Sequence, residues 1–337
     1  MLKLRIAAAL LAACLGSVVG NAQSTPSTVL LVLSKGDRTV SLVDPATLSV
    51  LARMPSGPDP HEIVADAAGR LAYISNYGGP GGAYNTISVV DLVEKKALPP
   101  IDLGVLRGAH GLDFAGGKLW FTAETNKVIG SYDPATKKVD WVLGTGQNRT
   151  HMIVLSEDLK RIVTSNVASA TMSIIDRITR QGPMGAQEDW DQVLVAVGRG
   201  AEGFDITSDG KQIWAANAQD GTISVVDAVE KKTIETLEAN VRSANRLKFT
   251  PDGSLAFVST LNGADLVILD AKTRREVKRV KIGRGAAGIQ MQPDGARAFV
   301  ACTPDSYVVV VDLKTLEVTG HLDAGKQPDG MAWVVRH

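Results

Sequence analysis

The chain has 337 residues, 45% of them hydrophobic, and its 36 basic side chains are balanced by 36 acidic ones. This length and composition allow a large buried core, and the zero formal charge excludes a global attraction to nucleic acid or to an anionic membrane. We therefore expect no nucleic-acid partner, because such a partner would require a local basic patch.

The first segment has the composition of an export signal. Lys3 and Arg5 precede an apolar run over residues 6–19, and a small residue, Ala22, closes a cleavage site. We predict a signal peptide over residues 1–22. An uncleaved anchor is one alternative, although the run is short for a membrane span of ~20 residues.

The remaining segment, residues 23–337, is expected to form a single domain. We predict that it is periplasmic or secreted, monomeric and without a membrane span. A lipoprotein is the second alternative, since Cys14 ends a lipoprotein-like box and would then carry the lipid. After cleavage Cys302 is the only cysteine, so no internal disulfide can form and stability must come from packing.

Two kinds of strand–turn–strand segment alternate along this domain. The first kind turns at Asp-Gly or Ala-Gly, as in ADAAGRLAYISN, ITSDGKQIWAAN and FTPDGSLAFVST. The second kind turns at Asp-Pro-Ala-Thr or a close variant, as in TVSLVDPATLSVL, VIGSYDPATKKVD and YVVVVDLKTLEVT. Apolar and β-branched residues alternate with polar ones in both kinds, as half-buried strands require. Each repeat therefore contains four short strands.

One position recurs at the start of the first strand of every repeat, and we call its seven residues the column. The column residues are His61, His110, His151, Glu202, Asn245, Ala287 and Asp329. Their spacings are 49, 41, 51, 43, 42 and 42 residues. A period of about 40 residues with four strands per unit is typical of propeller blades.

We predict an all-β fold, a seven-bladed β-propeller of four-stranded blades. Six blades are continuous in sequence, whereas the seventh takes its inner strand from DGMAWVVRH and its other three from STVLLVLSKG, TVSLVDPAT and LSVLARMPSG. This one-plus-three closure removes the exposed sheet edges of an open array. A linear stack of hairpin pairs is the alternative. The insertion 178–192 lies on the face opposite the column, where we expect a structural or partner-contact role.

The repeats resemble those of the YVTN-type β-propeller family. Its pattern of P-x-G, S-P-D-G and Y-V-T-N is echoed by Pro328-Asp329-Gly330, by Thr250-Pro251-Asp252-Gly253 and by Tyr73-Ile74-Ser75-Asn76. Proteins similar in these repeats include surface-layer proteins, lactonase-like enzymes and the haem-d1-type propellers of nitrite reductases. The resemblance covers nearly the whole mature chain and implies the fold, but it implies no single activity.

The first four column residues predict a metal site. Because they begin the innermost strands, His61, His110, His151 and Glu202 should form an arc around one mouth of the central channel. Three imidazoles with an open position are the usual catalytic arrangement for zinc, and they also suit copper, iron and manganese. Glu202 is predicted to be the fourth ligand or a catalytic base. Histidines that only form hydrogen bonds are the alternative.

Three further features on this face are candidates for substrate binding. The first is a set of residues at the equivalent start of a loop, namely Asn76, Glu124, Asn166 and Asn217. Turn chemistry is the alternative explanation for these positions. The second is a basic ring near the column that would attract an anionic ligand, and it comprises Arg107, Arg149, Arg199, Arg242, Arg284 and Lys326. Ordinary solvated loop charges are the alternative explanation. Tyr77 and Tyr84 flank a Gly-rich loop that is either a lid or a tolerated insertion.

Our leading hypothesis is a metal-dependent hydrolase or lyase that acts on a small anionic or lactone-like substrate. Oxygen or redox chemistry at copper or iron is the nearest enzymatic variant. A non-catalytic binding or scaffold propeller of the cell envelope is the competing hypothesis from a different class.

Overall fold

The computed structural model describes residues 27–335 except Met184. The predicted signal peptide, its alternative lipid site Cys14 and the terminal His337 lie outside the described residues. Within them the secondary structure is almost wholly β, apart from two 3-10 turns at Glu124–Asn126 and Val167–Ser169. Among the described residues no helix is long and apolar enough to cross a membrane.

The strands form seven four-stranded antiparallel sheets, and contacts between neighbouring inner strands run round a closed circle. The structure is therefore a seven-bladed β-propeller, as predicted. From the inner strand outward the strands are Pro60–Ala65, Leu71–Asn76, Thr86–Asp91 and Lys96–Asp102 in blade 1; Ala109–Ala115, Lys118–Ala123, Val128–Asp133 and Lys138–Gly144 in blade 2; Thr150–Leu155, Arg161–Asn166, Thr171–Gly182 and Gly185–Ala196 in blade 3; Ala201–Ile206, Gln212–Asn217, Thr222–Asp227 and Lys232–Leu237 in blade 4; Ala244–Phe249, Leu255–Thr260, Asp265–Asp270 and Glu276–Lys281 in blade 5; Ala286–Met291, Arg297–Cys302, Tyr307–Asp312 and Glu317–Leu322 in blade 6; and Pro328–Val335, Thr28–Ser34, Thr39–Asp44 and Ser49–Pro55 in blade 7.

Blade 7 closes the ring with strands from both ends of the described chain. Its inner strand Pro328–Val335 pairs antiparallel with Thr28–Ser34, so that Val334 lies opposite Val29. This is the predicted one-plus-three closure. Val29 and Val334 belong to one buried cluster that also contains side chains of blade 1. The closure therefore rests on apolar packing as well as on backbone hydrogen bonds.

Burial follows the order of the strands within a blade. The second strand Gln212–Asn217 is buried at every position after its first, because it is covered by neighbouring blades on both faces. The outermost strand Lys138–Gly144 instead alternates exposed and half-buried residues. The second-strand segments therefore read as apolar runs, and the outer ones show the strict alternation of a strand with one wet face.

Each inner strand begins with a β-bulge. In blade 1 Pro60 pairs with Asn76 and Ile63 with Ile74, so His61 and Glu62 together lie opposite Ser75. The same register shift occurs at the start of the inner strand in every blade. Bulges redirect side chains, and this one contains the column residue and the residue after it in each blade.

Side-chain hydroxyls hold the bulges and join neighbouring blades. Thr122 Oγ1 accepts a hydrogen bond from the Gly111 N–H and donates one to the carbonyl of His151 in the next blade. Ser165 and Ser259 make the same two bonds in blades 3 and 5. Each of these hydroxyls therefore fixes the bulge of its own blade relative to the column residue of the next blade.

The residue after the column controls how closely the inner strands approach. It is glycine in four blades, at Gly111, Gly203, Gly288 and Gly330. A Cβ added at Gly111 would overlap the carbonyl oxygen of His151, and the other three glycines are equally confined by the next column carbonyl. The other three blades carry Glu62, Met152 and Arg246 there, so these side chains are left to fill the channel.

The two insertions form hairpins. Residues 178–192 extend the third and fourth strands of blade 3, and their Trp190 packs against Trp141, which packs against Trp120; the ring centres are 5.7 and 5.5 Å apart. The Gly-rich loop after Asn76 folds into a two-residue ladder between Gly78–Gly79 and Gly82–Ala83. A packing role for the longer insertion agrees with the contacts of Trp190.

We expect the closing strand to be sensitive to lost apolar volume. Val334 is 1% exposed and its neighbour Val335 is 38% exposed. Val334→Ala should lower the free energy of unfolding by about 2 kcal/mol, because it removes buried methyl groups and leaves a cavity. Val335→Ala, the matched control, should cost less than about 1 kcal/mol. Urea denaturation measures both, and equal losses would contradict closure by packing.

Candidate functional site

The four arc residues are contiguous in space. The ring of His110 lies 5.3 Å from that of His61 and 3.7 Å from that of His151, measured between centres. His151 Nε2 then lies 3.0 Å from Glu202 Oε1. His110 and His151 are buried, at 3% and 1% exposure. The bulges of blades 1 to 4 therefore bring side chains 141 positions apart into one row.

Glu124, which begins the 3-10 turn after the second strand of blade 2, extends this row. Its Oε1 contacts His151 Nδ1 at short range, and its Oε2 accepts a hydrogen bond of 2.6 Å from the Tyr77 hydroxyl. Arg149 lies over both carboxylates, with Nε 3.7 Å from Glu124 Oε2 and Nη2 3.2 Å from Glu202 Oε1. One arginine and two glutamates thus enclose His151.

The charges of these groups depend on one another. Burial alone would lower the pKa of His151, but the negative charge of Glu202, together with Glu124, raises it to about 9. Burial likewise raises the pKa of Glu202, yet His151 and Arg149 outweigh it and the pKa is lowered. His110 has no such partner, and its burial, followed by the nearby His151, holds its pKa well below the ordinary value.

Tyr77 is held in its protonated form. Burial of the phenol, and then its hydrogen bond to Glu124, raise its pKa to about 12. The hydroxyl is therefore a donor throughout the physiological range. Its ring also stands edge-on to His110, with 5.1 Å between the ring centres.

Three donors of the row are placed to bind one ion. Ligand atoms of His110, Glu124 and His151 all lie within 4.8 Å of one another. His110 Nδ1 is buried and has no hydrogen-bond partner within the described structure. Imidazole nitrogens with a carboxylate oxygen are the donor set of zinc and of other transition metals. A small movement of these side chains would bring them to coordination distance.

His61, His110 and Glu202 line a cavity of about 360 Å³ at the channel mouth, whereas His151 and Glu124 do not line it. Its polar lining residues are Lys35, His61, Tyr77, His110, Arg149, Glu202, Asn245, Arg246, Thr303 and Asp329. Lys35 contributes an ammonium group 2.8 Å from His61 Nε2 and 3.2 Å from Asp329 Oδ2. The predicted site did not include Lys35, Arg246 or Asp329.

The strand register corrects one predicted equivalence. Asn76, Asn166 and Asn217 pair with the residue before the column in their blades, but in blade 2 that partner is Ala123, not Glu124. Glu124 lies one residue further on, in the position that Tyr77 and Lys35 occupy in blades 1 and 7. Counting one residue past the asparagine position identifies Tyr77 and Lys35, which line the cavity, and Glu124, which contacts His151.

The three asparagines make their contacts inside their own blades. Asn76 donates to the hydroxyls of Thr86 and Ser88, each at 2.9 Å. Asn166 bonds with Thr171 and Ser173, and Asn217 with Thr222 and Ser224. All three are buried. They join the second strand of each blade to the third, which is a structural role and not a contact with substrate. None of them lines the cavity.

The basic ring is divided between the cavity and its rim. Only Arg149 lines the cavity. Arg199 and Arg284 pair, each at 2.7 Å, with Asp220 and Asp305, which lie on the loops between the second and third strands of blades 4 and 6. The remaining members, which are exposed on the rim, are Arg107, Arg242 and Lys326. A substrate-binding role for these five remains a prediction, as it does for Tyr84, which does not line the cavity although Tyr77 does.

The fold and the site define a β-propeller with a histidine–carboxylate centre at the mouth of its channel. The model of the cytochrome D1 heme domain matches residues 122–296, more than half of the chain, and the chain belongs to this family. The more specific YVTN label stays a prediction. Among curated proteins, no sequence matches.

Solved structures show the same fold at low sequence identity. A functionally unknown protein from Desulfotomaculum acetoxidans DSM 771 is 14% identical, with a TM-score of 0.74 over 92% of this chain and 99% of the other. A putative 6-phosphogluconolactonase from Bacteroides fragilis NCTC 9343 is 15% identical, with 0.70 over 93% and 99%. Dihydro-heme d1 dehydrogenase NirN in complex with DHE is 16% identical, with 0.63 over 90% and 74%.

The family implies haem, so its fit to these side chains matters. An axial histidine must present a ring nitrogen to open space wide enough for a flat macrocycle. Both nitrogens of His151 face glutamates, and His61 Nε2 faces Lys35. The rings of Tyr77, His61 and His151 surround His110. The arrangement does not fit an axially ligated haem.

Glu124 should contribute strongly to stability. Glu124→Gln removes one of two carboxylates from a buried, protonated His151, and because Glu202 remains as a partner we expect a loss of about 2 kcal/mol, as for a hydrogen bond to a charged group. Glu317→Gln is the matched control, because Glu317 is 65% exposed in its pair with Lys278 and should change stability by less than about 1 kcal/mol. Urea denaturation at neutral pH with a chelator measures both. Equal effects would contradict a protonated His151.

Proposed function

We propose that this propeller is an exported metal-dependent enzyme, a hydrolase or lyase of small anionic or lactone-like substrates. The single observation that carries the proposal is the convergence of His110, Glu124 and His151 at one point, with a buried nitrogen of His110 that has no partner. The predicted metal set included His61 and Glu202. The geometry favours Glu124 as the carboxylate ligand and leaves His61 and Glu202 beside the ion.

The charges support a bound cation. Glu124 and Glu202 converge on His151, whereas Arg149 alone opposes them. The second positive charge that balances the two carboxylates comes either from the proton on His151 or from a metal ion that replaces this proton. Metal binding would release that proton, because imidazole must be neutral to coordinate.

The remaining residues have chemical roles in this proposal. A bound ion would polarise a substrate carbonyl and make nearby water more acidic. Glu202, whose pKa is lowered, is ionised at neutral pH and can accept a proton from water. Arg149 lies above both glutamates and can orient an anionic group, and the Tyr77 hydroxyl can donate a hydrogen bond to a developing negative charge.

The donor set limits the metal but does not select one. Zinc, copper, iron and manganese all accept imidazole with carboxylate, and calcium is disfavoured because it prefers oxygen ligands. Copper or iron would make an oxidoreductase from the same residues. Among the structural relatives, one is a putative lactonase and one is a dehydrogenase bound to DHE, so both reaction classes occur on this fold.

A non-catalytic scaffold is the competing function. It is favoured by the ion pairs of a protonated His151 with two glutamates, which balance the charge without an ion, whereas His151 Nε2, like His110 Nδ1, forms no hydrogen bond within the described residues. In that case the buried His110 nitrogen has no purpose in the site. Export to the periplasm or the medium, and a monomeric state, remain parts of the proposal that rest on the sequence.

The metal is the first test. Purified protein should contain about one equivalent of a transition metal by elemental analysis, and a His110→Ala, His151→Ala double variant should lose it. His321→Ala is the matched control, since His321 is exposed on the outermost strand of blade 6. A parent without metal, or a double variant that retains it, contradicts the site. A Soret absorption band in the parent would show haem instead.

The second test concerns Glu202. With a panel of lactones and esters, Glu202→Gln should lower kcat about 100-fold or more while it retains the metal, because a positioned base contributes 10²–10⁴-fold. Glu157→Gln, on an exposed loop, should leave kcat unchanged. Metal retained with kcat unaltered in Glu202→Gln would remove Glu202 from the reaction. A metal-loaded parent that turns over none of the panel would favour the scaffold.

A further inference from the structure

An ion pair crosses the channel beneath the candidate site. A second cavity of about 270 Å³ lies deeper in the channel, and Arg246 lines both this lower cavity and the one at the mouth. The Arg246 guanidinium contacts the Glu62 carboxylate at short range. Arg246 belongs to blade 5 and Glu62 to blade 1. We call these two residues the floor pair, since they separate the two cavities.

The inner-strand sequence explains why this pair is possible. Four of the seven positions after the column are glycine, and their close approach to the next blade leaves no room for a side chain. The side chains of the other three positions are the only ones at this level that can extend toward the axis. Of these, Met152 is apolar, so Glu62 and Arg246 meet across the channel.

Arg246 is charged, buried and held mostly by neutral acceptors. It is 6% exposed, and its Nη1 donates to the backbone oxygen of Asn245 at 3.1 Å and to Asn245 Oδ1 at 3.2 Å. Its one direct carboxylate contact within the described structure is Glu62, through Nη2, and Asp329 in the same cavity lining is near enough for its charge to act on the guanidinium. A buried guanidinium must keep a counterion, but nothing requires that the counterion belong to the protein.

We propose that Arg246 binds the anionic group of the substrate at the cavity floor, and that Glu62 is an internal carboxylate that this group replaces. The inference deepens the proposed function and rests on it for the reaction, but the anion site itself needs no metal. Guanidinium binds carboxylate and phosphate through two parallel hydrogen bonds, so one anion can take the place of another. Glu62 also lines the lower cavity, which has room for the displaced carboxylate and is lined as well by Lys248, whose ammonium lies 3.6 Å from Asp205 Oδ1.

The position of Arg246 agrees with this role. It shares the upper cavity with His61, His110 and Glu202, so a small molecule held by Arg246 would extend toward the metal-binding row. Lys35 also lines this cavity, where its ammonium lies 3.2 Å from Asp329 Oδ2. Of the rim arginines, Arg199 and Arg284 pair with Asp220 and Asp305 and do not line the cavity.

Binding of inorganic phosphate to the full-length, metal-free protein tests the proposal. Calorimetry in the presence of a chelator and at constant ionic strength should show at least about 10-fold weaker binding for Arg246→Gln. Glu62→Gln, which removes the competing carboxylate with little change of shape, should bind phosphate about 10-fold more tightly, a change of about 1.4 kcal/mol. Arg180→Gln, at an exposed position of the long hairpin, is the matched control and should not change the affinity.

The result that overturns the proposal is an unchanged affinity in either floor-pair variant, or an equal loss in Arg180→Gln. A floor pair with a structural role alone would lower stability in both variants without any gain in phosphate binding for Glu62→Gln. If Arg246→Gln does not fold, Glu62→Gln decides alone. The metal assay and the phosphate assay are independent, so a parent without metal leaves the anion result standing, and the reverse also holds.

Discussion

The bulge at the start of each inner strand is the constraint on which the site depends. The bulge adds one residue to each inner strand, so two of its residues lie opposite a single residue of the second strand. A hydroxyl on the second strand accepts a hydrogen bond from a bulge N–H and donates one to the carbonyl of the next column residue. Neighbouring bulges are therefore linked through Thr122, Ser165 and Ser259. The histidines converge because seven strands share this local geometry about one axis.

The cavity lining is chemically uneven. Imidazoles line it only at blades 1 and 2, through His61 and His110. Charges of both signs surround the rest of it, since the cations are Arg149, Arg246 and Lys35 and the carboxylates are Glu202 and Asp329. Ala287 in blade 6 adds no polar group. The asymmetry of the column is thus a property of the cavity as a whole.

The sequence predicted the fold well and the site in part. Blade number, ring closure and the equivalence of the column residues follow from local patterns that repeat, so each blade supports the interpretation of the others. Glu124 was placed one position wrong because the asparagine position of blade 2 holds the apolar Ala123, and the next polar residue took its place in the pattern. Arg246 and Glu62 meet across the axis, 184 positions apart, and no local pattern connects them.

The arginine ring shows a different kind of limit. Its spacing was correct, but an aspartate about twenty residues later on the next loop neutralises Arg199 and Arg284, and this pairing depends on how the loops cross. The contribution of a charge to the potential at a site depends on its partners, which a one-dimensional pattern does not show.

The three tryptophans that pack between blade 2 and the long hairpin of blade 3 have a consequence for experiment. Trp120, Trp141 and Trp190 are three of the five tryptophans, and they follow one another across the boundary between blades 2 and 3. Indoles this close couple electronically, so their circular dichroism and fluorescence are sensitive to that single boundary. The protein thus contains its own optical probe of blade separation, in a region that shares no residue with the metal-binding row.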